Sequence, residues 1–147
     1  MSKVVQQIPP AKALINGIRA IGYSFSTSVA DIIDNSIAAK SKRINIFSDP
    51  LADNPYFCIL DDGCGMDYDE LNNAMIFGSD RSNKEDDILD LGRFGLGLKS
   101  ASLSQCRELI VVSKKQKNIY CMSYDLDIIE KNNDWNLLVY DDNEIVS

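Results

Sequence analysis

Residues 56–66 read Tyr-Phe-Cys-Ile-Leu-Asp-Asp-Gly-Cys-Gly-Met. Five aromatic and apolar residues predict a strand, and the run breaks at once into Asp61-Asp62-Gly63-Cys64-Gly65. A carboxylate at a strand end can accept a hydrogen bond from an exocyclic amine, and glycines let backbone approach a partner closely. An Asp-Gly pair is equally the mark of an ordinary tight turn. A calcium loop does not fit, because Gly63 and Gly65 fall where that pattern needs oxygen ligands.

Upstream, Ser24 to Lys40 predicts a helix, with Phe25, Val29, Ile33 and Ile37 at steps of four. Asp31, Asp34 and Asn35 lie three and four residues apart, so they share one face. Ala38 and Ala39 continue it with small side chains. Two carboxylates and an amide beside small residues suit a hydrated magnesium ion and a flat ligand, or a merely solvated face. Downstream, Gly92-Arg93-Phe94-Gly95-Leu96-Gly97-Leu98-Lys99-Ser100 leads glycines into a predicted helix, Leu98 to Gln105. Such a helix start offers N–H groups and partial positive charge to an anion. It is not a Walker A loop, because Leu98 delays the lysine by one residue.

The rest of the chain supplies the frame. A first helix is expected over Ala13 to Ile21, ended by Gly22, and a strand over Arg43 to Phe47. Asp49 to Pro55 reads as a loop, and Asp67 to Phe77 as a helix capped near Asp67. Gly78 to Gly97 is polar, charged and glycine-punctuated, the pattern of a functional lid or of a disordered stretch. Strands are expected at Glu108 to Ser113, Tyr120 to Tyr124 and Asn136 to Tyr140, joined by turns at 115–118 and 131–134. This order predicts an α+β fold: a two-layer α/β sandwich, its mixed, mostly antiparallel sheet covered by helices on one face.

Composition narrows the chemistry. The 147 residues suit one domain with its own core. There is no histidine, which removes Ser-His and Cys-His catalysis, and the four cysteines form no CxxC pair. No stretch is apolar enough to span a membrane, and Met1 to Gln7 lacks the core of a signal peptide, so a cytoplasmic setting is expected. The net charge of -7 gathers chiefly in residues 51–100, which disfavours direct contact with a nucleic-acid backbone.

Taken in order and spacing, the three motifs resemble those of the GHKL ATPases: the gyrase, heat-shock chaperone, histidine kinase and MutL superfamily. Its E-x-x-D-N helix motif appears as Asp31-Ile32-Ile33-Asp34-Asn35, its D-x-G-x-G as Asp61 to Gly65, and its lid G-x-G as Gly95-Leu96-Gly97. The resemblance covers roughly Ser24 to Ser104, and Phe77-Gly78-Ser79-Asp80 with Gly95 to Ser100 look most like MORC-type members. It implies a Bergerat-type ATP-binding fold with ATP and magnesium as cofactors.

The roles it implies fall residue by residue. Asn35 would hold magnesium, Asp61 would take the adenine amino group, and Asp34 would assist near the base or ribose. Ala39, Gly65 and Met66 would surround the base, with Gly63 in the same motif. Gly95, Gly97, Leu98 and Lys99 would cradle the phosphates, with Leu96 and Ser100 in the same stretch. Where hydrolysing members carry a glutamate base, this chain has the shorter Asp31, so ATP binding is expected more firmly than turnover.

Related members take a phosphate-contacting lysine from a following domain. The 147 residues are therefore expected to be a single ATP-binding domain at the N-terminal end of a longer protein. Full-length protein is expected to form an ATP-dependent homodimer and to act as an ATP-gated switch, with nucleic acid contacted only through regions outside these residues. Two alternatives share the motifs: a catalytic domain of the histidine- or anti-sigma-kinase kind, and a nucleotide-binding module that does not hydrolyse.

Overall fold

A computed structural model describes residues 10–20, 22–76 and 97–141. Among the described residues, five helices and five strands follow in the order α1 (Ala11–Ala20), α2 (Phe25–Ala38), β1 (Ile44–Asp49), β2 (Tyr56–Asp61), α3 (Tyr68–Met75), α4 (Gly97–Gln105), β3 (Glu108–Lys115), β4 (Asn118–Asp125), α5 (Leu126–Asn132) and β5 (Leu138–Tyr140). The expected lid, apart from Gly97, lies outside the described residues, and Gly95 and Leu96 lie there with it.

Side chains set the helix starts. The Ser24 hydroxyl accepts from Thr27 N at 3.1 Å and caps α2. Asp67 and Glu70 form a reciprocal capping box on α3: Glu70 N donates to Asp67 Oδ1 at 3.0 Å, and Asp67 N to Glu70 Oε2 at 2.9 Å. Asp125 Oδ1 accepts from Asp127 N and Ile128 N and starts α5, a helix absent from the sequence-based expectation.

The strands divide into two antiparallel sheets, β1-β2 and β3-β4-β5, where one sheet was expected. The break has a local cause. Beyond β2 the chain passes beside β3, but Met66 N donates to the Ser113 hydroxyl at 2.7 Å, so a side chain takes the place of a backbone ladder.

The core lies against one face of the three-stranded sheet. Met122 and Tyr124 of β4 meet Ile15 of α1, Leu71 and Met75 of α3, Leu103 of α4, and Leu126 and Ile129 of α5. Ile110 and Val112 of β3, on the other face, are exposed. That gives a helix layer on a sheet layer, and the chain is α+β as its element order predicts.

Helix α2 stands apart from this core. Its buried residues are Ser28 and Ser36, whereas Phe25 and Ile37 of the expected apolar stripe are exposed. The reason lies in its neighbour. α2 packs chiefly on α4, whose buried run includes Ser100, Ala101 and Ser102. Small side chains on both helices permit close approach, and of the expected stripe Phe25 and Ile37 turn outward while Val29 and Ile33 are half-buried. Phe25 rests edge-on against Phe57 of β2 with ring centroids 5.1 Å apart.

Candidate nucleotide site

The end of β2 carries two adjacent aspartates that part company. Asp62 turns back on its own hairpin, its Oδ1 accepting from Lys42 N at 2.7 Å and Arg43 N at 2.9 Å. Those backbone N–H groups, Arg43's first, hold its carboxyl below the usual carboxylate range. Asp61 turns toward α2. Its Oδ2 accepts from the Ser36 hydroxyl at 2.7 Å, and its Oδ1 accepts from Gly63 N at 2.8 Å. Each carboxylate oxygen has two lone pairs, so acceptor capacity remains on an exposed group. Asp62 is thus a structural clasp, and Asp61 is the carboxylate offered outward.

The glycines after it admit protein backbone. A Cβ on Gly63 would lie 2.7 Å from the Ala39 Cβ and 2.9 Å from its carbonyl oxygen. Cys64 N donates to that same carbonyl at 3.0 Å. Gly65 adopts φ 67°, and a Cβ there would fall 2.0 Å from Lys114 O. The two glycines therefore dock one turn onto the end of α2 and onto β3 together. Met66 sits half-buried at the edge of the core.

Asp31, Asp34 and Asn35 ride the same helix, Asn35 exposed and the carboxylates half-buried. Tyr23, just before the cap, lies near Asp31: burial first, then the Asp31 carboxylate, raises the phenol above its ordinary pKa. A concavity of about 300 Å³ opens there, lined by Gly22, Tyr23, Ser24 and Thr27. It lies toward the opposite end of α2 from Asp61, ~13 Å of helix separating Thr27 from Ser36.

On α4, Gly97 and Leu98 are half-buried, and Lys99 and Ser100 are buried. Lys99 Nζ donates to Ala74 O at 2.6 Å, at the end of α3. Sequence reasoning missed Ser36 and Tyr23. The signal for Ser36 was its place beside Asn35 in Asp-Asn-Ser, within reach of a strand end; nothing in the spacing marked Tyr23.

The residues present fit the implied ligands. Among the described residues no group of three or more His, Cys, Asp or Glu side chains is placed to hold a metal. Magnesium bound to nucleotide needs no such cage, since it keeps several waters and takes one or two protein groups plus phosphates. Asn35 can supply such a group, and Asp61 an acceptor for an amine.

Residues 23–146 match the family of histidine kinase-, DNA gyrase B- and HSP90-like ATPases, and the chain belongs to that family. Within it, the chain is similar to the MORC proteins. MORC family CW-type zinc finger protein 1 is 31% identical over 107 residues in Mus musculus and 32% over 108 in Homo sapiens, in each case 71% of this chain and 11% of the relative. ATPase MORC2B of Mus musculus is 32% identical over 98 residues, 65% of this chain and 10% of that protein. The chain thus spans about a tenth of the length of these relatives. No helix among the described residues is long and apolar enough to cross a membrane.

Proposed function

We propose that this domain binds ATP with magnesium and hydrolyses it slowly, as an ATP-gated switch that brings two copies of the full-length protein together. The observation that carries the reading is Asp61, oriented by Ser36 and Gly63 beside Ala39. A carboxylate fixed on two sides and open on the third reads an exocyclic amine. Gly63, Gly65 and Met66 form the floor next to it. Asp34 assists near the base or ribose, and Asn35 supplies a magnesium ligand. Bound magnesium neutralises phosphate charge. The first turn of α4, Gly97 to Ser100, offers its N–H groups to the phosphates.

Asp31 is the base in this reading. A base must reach the attacking water within about 2.6–3.2 Å, directly or through a second water. Aspartate is one methylene shorter than glutamate, and the shorter reach favours slow turnover. The names of the relatives, "ATPase MORC2B" among them, support an ATPase, and the cysteines, all free, agree with a cytoplasmic setting.

Calorimetry on Asp61→Asn tests the reading. Loss of the acceptor for the purine amine lowers ATP affinity by about 1–3 kcal/mol, roughly 5- to 150-fold. Unchanged affinity rules out Asp61 as the adenine anchor.

A further inference from the structure

Lys99 is 2% exposed. A buried ammonium is unfavourable unless it is paired or hydrogen-bonded. Its seat supplies that bond. The Nζ donates to Ala74 O at 2.6 Å, one of the last carbonyls of α3, which have no partner inside the helix and carry the negative end of its dipole. The next carbonyl, Met75 O, accepts from the Tyr124 hydroxyl at 2.8 Å. The end of α3 is therefore capped from two elements, α4 and β4. Lys99 is also the third residue of α4, where a helix dipole disfavours a cation. Reaching across to α3 moves the charge from an unfavourable helix end to a favourable one.

We propose that Lys99 is a positioning residue: it fastens the first turn of α4 to the last turn of α3 and does not itself touch phosphate. The inference rests on the reading of that first turn as the phosphate end of the site. Lys99 acts through the placement of the Gly97 and Leu98 N–H groups. A phosphate-binding lysine instead needs its ammonium open to the ligand.

Two measurements on the full chain test this. Limited amine acylation read by mass spectrometry should label exposed Lys114 and Lys117 and spare Lys99, with or without ATP. Labelling of Lys99 in nucleotide-free protein that ATP suppresses overturns the proposal, whatever any variant does. Affinities for ATP and adenosine are then compared in Lys99→Met and Tyr124→Phe. Tyr124 is buried and serves the same junction, so both variants should weaken ATP, Lys99→Met by about five-fold, and leave adenosine unchanged. A loss of ATP affinity confined to Lys99→Met marks a direct phosphate contact and overturns the proposal, as does no loss in Lys99→Met. Wild-type protein that binds neither ligand sinks the nucleotide reading and the positioning role with it, while the labelling still decides where the ammonium sits.

Discussion

Ser36 donates its hydroxyl to Asp61 Oδ2 at 2.7 Å and so ties the last turn of α2 to the end of β2. Ser36 is buried and Asp61 exposed, which makes the serine the fixed half of the pair. Removing it leaves the carboxylate with Gly63 N as its described partner and a freer rotation. Ser36→Ala should weaken ATP binding by about 1 kcal/mol, roughly five-fold, less than Asp61→Asn. Calorimetry on the two variants checks the order, and a serine variant that binds as well as the parent refutes the orienting role.

Asp31 and Asn35 are one turn apart on α2 and should fail differently. Asp31→Ala should keep ATP binding and lose phosphate release, because a base acts on water in the transition state. Asn35→Ala should weaken binding only when magnesium is present. Asp31→Glu should raise turnover relative to the parent when both are assayed in the same longer protein, the proposal being that a domain supplying a phosphate-contacting lysine follows these residues. If glutamate abolishes turnover there, the pocket is built around aspartate and the account of its reach is wrong.

Gly65 and Gly17 offer a contrast in stability. Gly65 combines φ 67° with backbone 2.0 Å from the position a Cβ would take, whereas a Cβ on Gly17 meets nothing within 4 Å. Gly65→Ala should cost more than the about 1–2 kcal/mol of the left-handed conformation alone, because Lys114 must also move. Gly17→Ala, in the exposed interior of α1, should stabilise by about 0.5–1 kcal/mol. Thermal melts of both variants should move in opposite directions.

Lys115 Nζ lies 2.6 Å from Glu70 Oε2 and 3.1 Å from Asp67 Oδ2, fastening the end of β3 to the capping box of α3. The Glu70 backbone N–H first, then Lys115, holds Asp67 below its ordinary value of 3.8. Lys115 is the larger cause at Glu70, which is held below 4.5, and the lysine in turn is raised above 10.5. The signs follow by linkage. The carboxylates contribute stability above their ordinary pKa values that is lost as pH falls through the lowered ones. The lysine's share is present below pH 10.5 and is lost as pH rises through its raised value. Melting temperature measured from pH 2 to 5 should fall less steeply in Lys115→Met than in the parent. Added salt should reduce the difference, since these groups are solvent-screened. Parallel curves would remove the cluster from the account of acid stability.

Most of the architecture was legible because local signals agreed with one another. Ser24, Asp67 and the turn at 115–118 each mark a boundary with a side chain or a turn, and the structure places the boundaries there. Helix α5 escaped because its seven residues are too few to show a period, though Asp125 before it and Asn133 in left-handed conformation after it are its punctuation. The candidate site divided in the same way. Asp31, Asp34, Asn35 and Asp61 announced themselves by spacing. Ser36 did not, since its meaning depends on a strand that arrives 25 positions later. Nor could the sequence tell that the room left by Gly63 and Gly65 is taken up by Ala39 and Lys114.

The small residues between α2 and α4 act as a calliper. Large interlocking side chains would let one helix settle into several notches of the other. Here the gap that sets the distance of Asp31, Asp34 and Asn35 from the first turn of α4 is governed by serine- and alanine-sized groups. Among the described residues the hydroxyls of Ser28 and Ser102 meet no hydrogen-bond partner, and both side chains are buried. A single added methylene in this seam would translate the whole row of candidate ligands at once, keeping every residue of the site while misplacing all of them together.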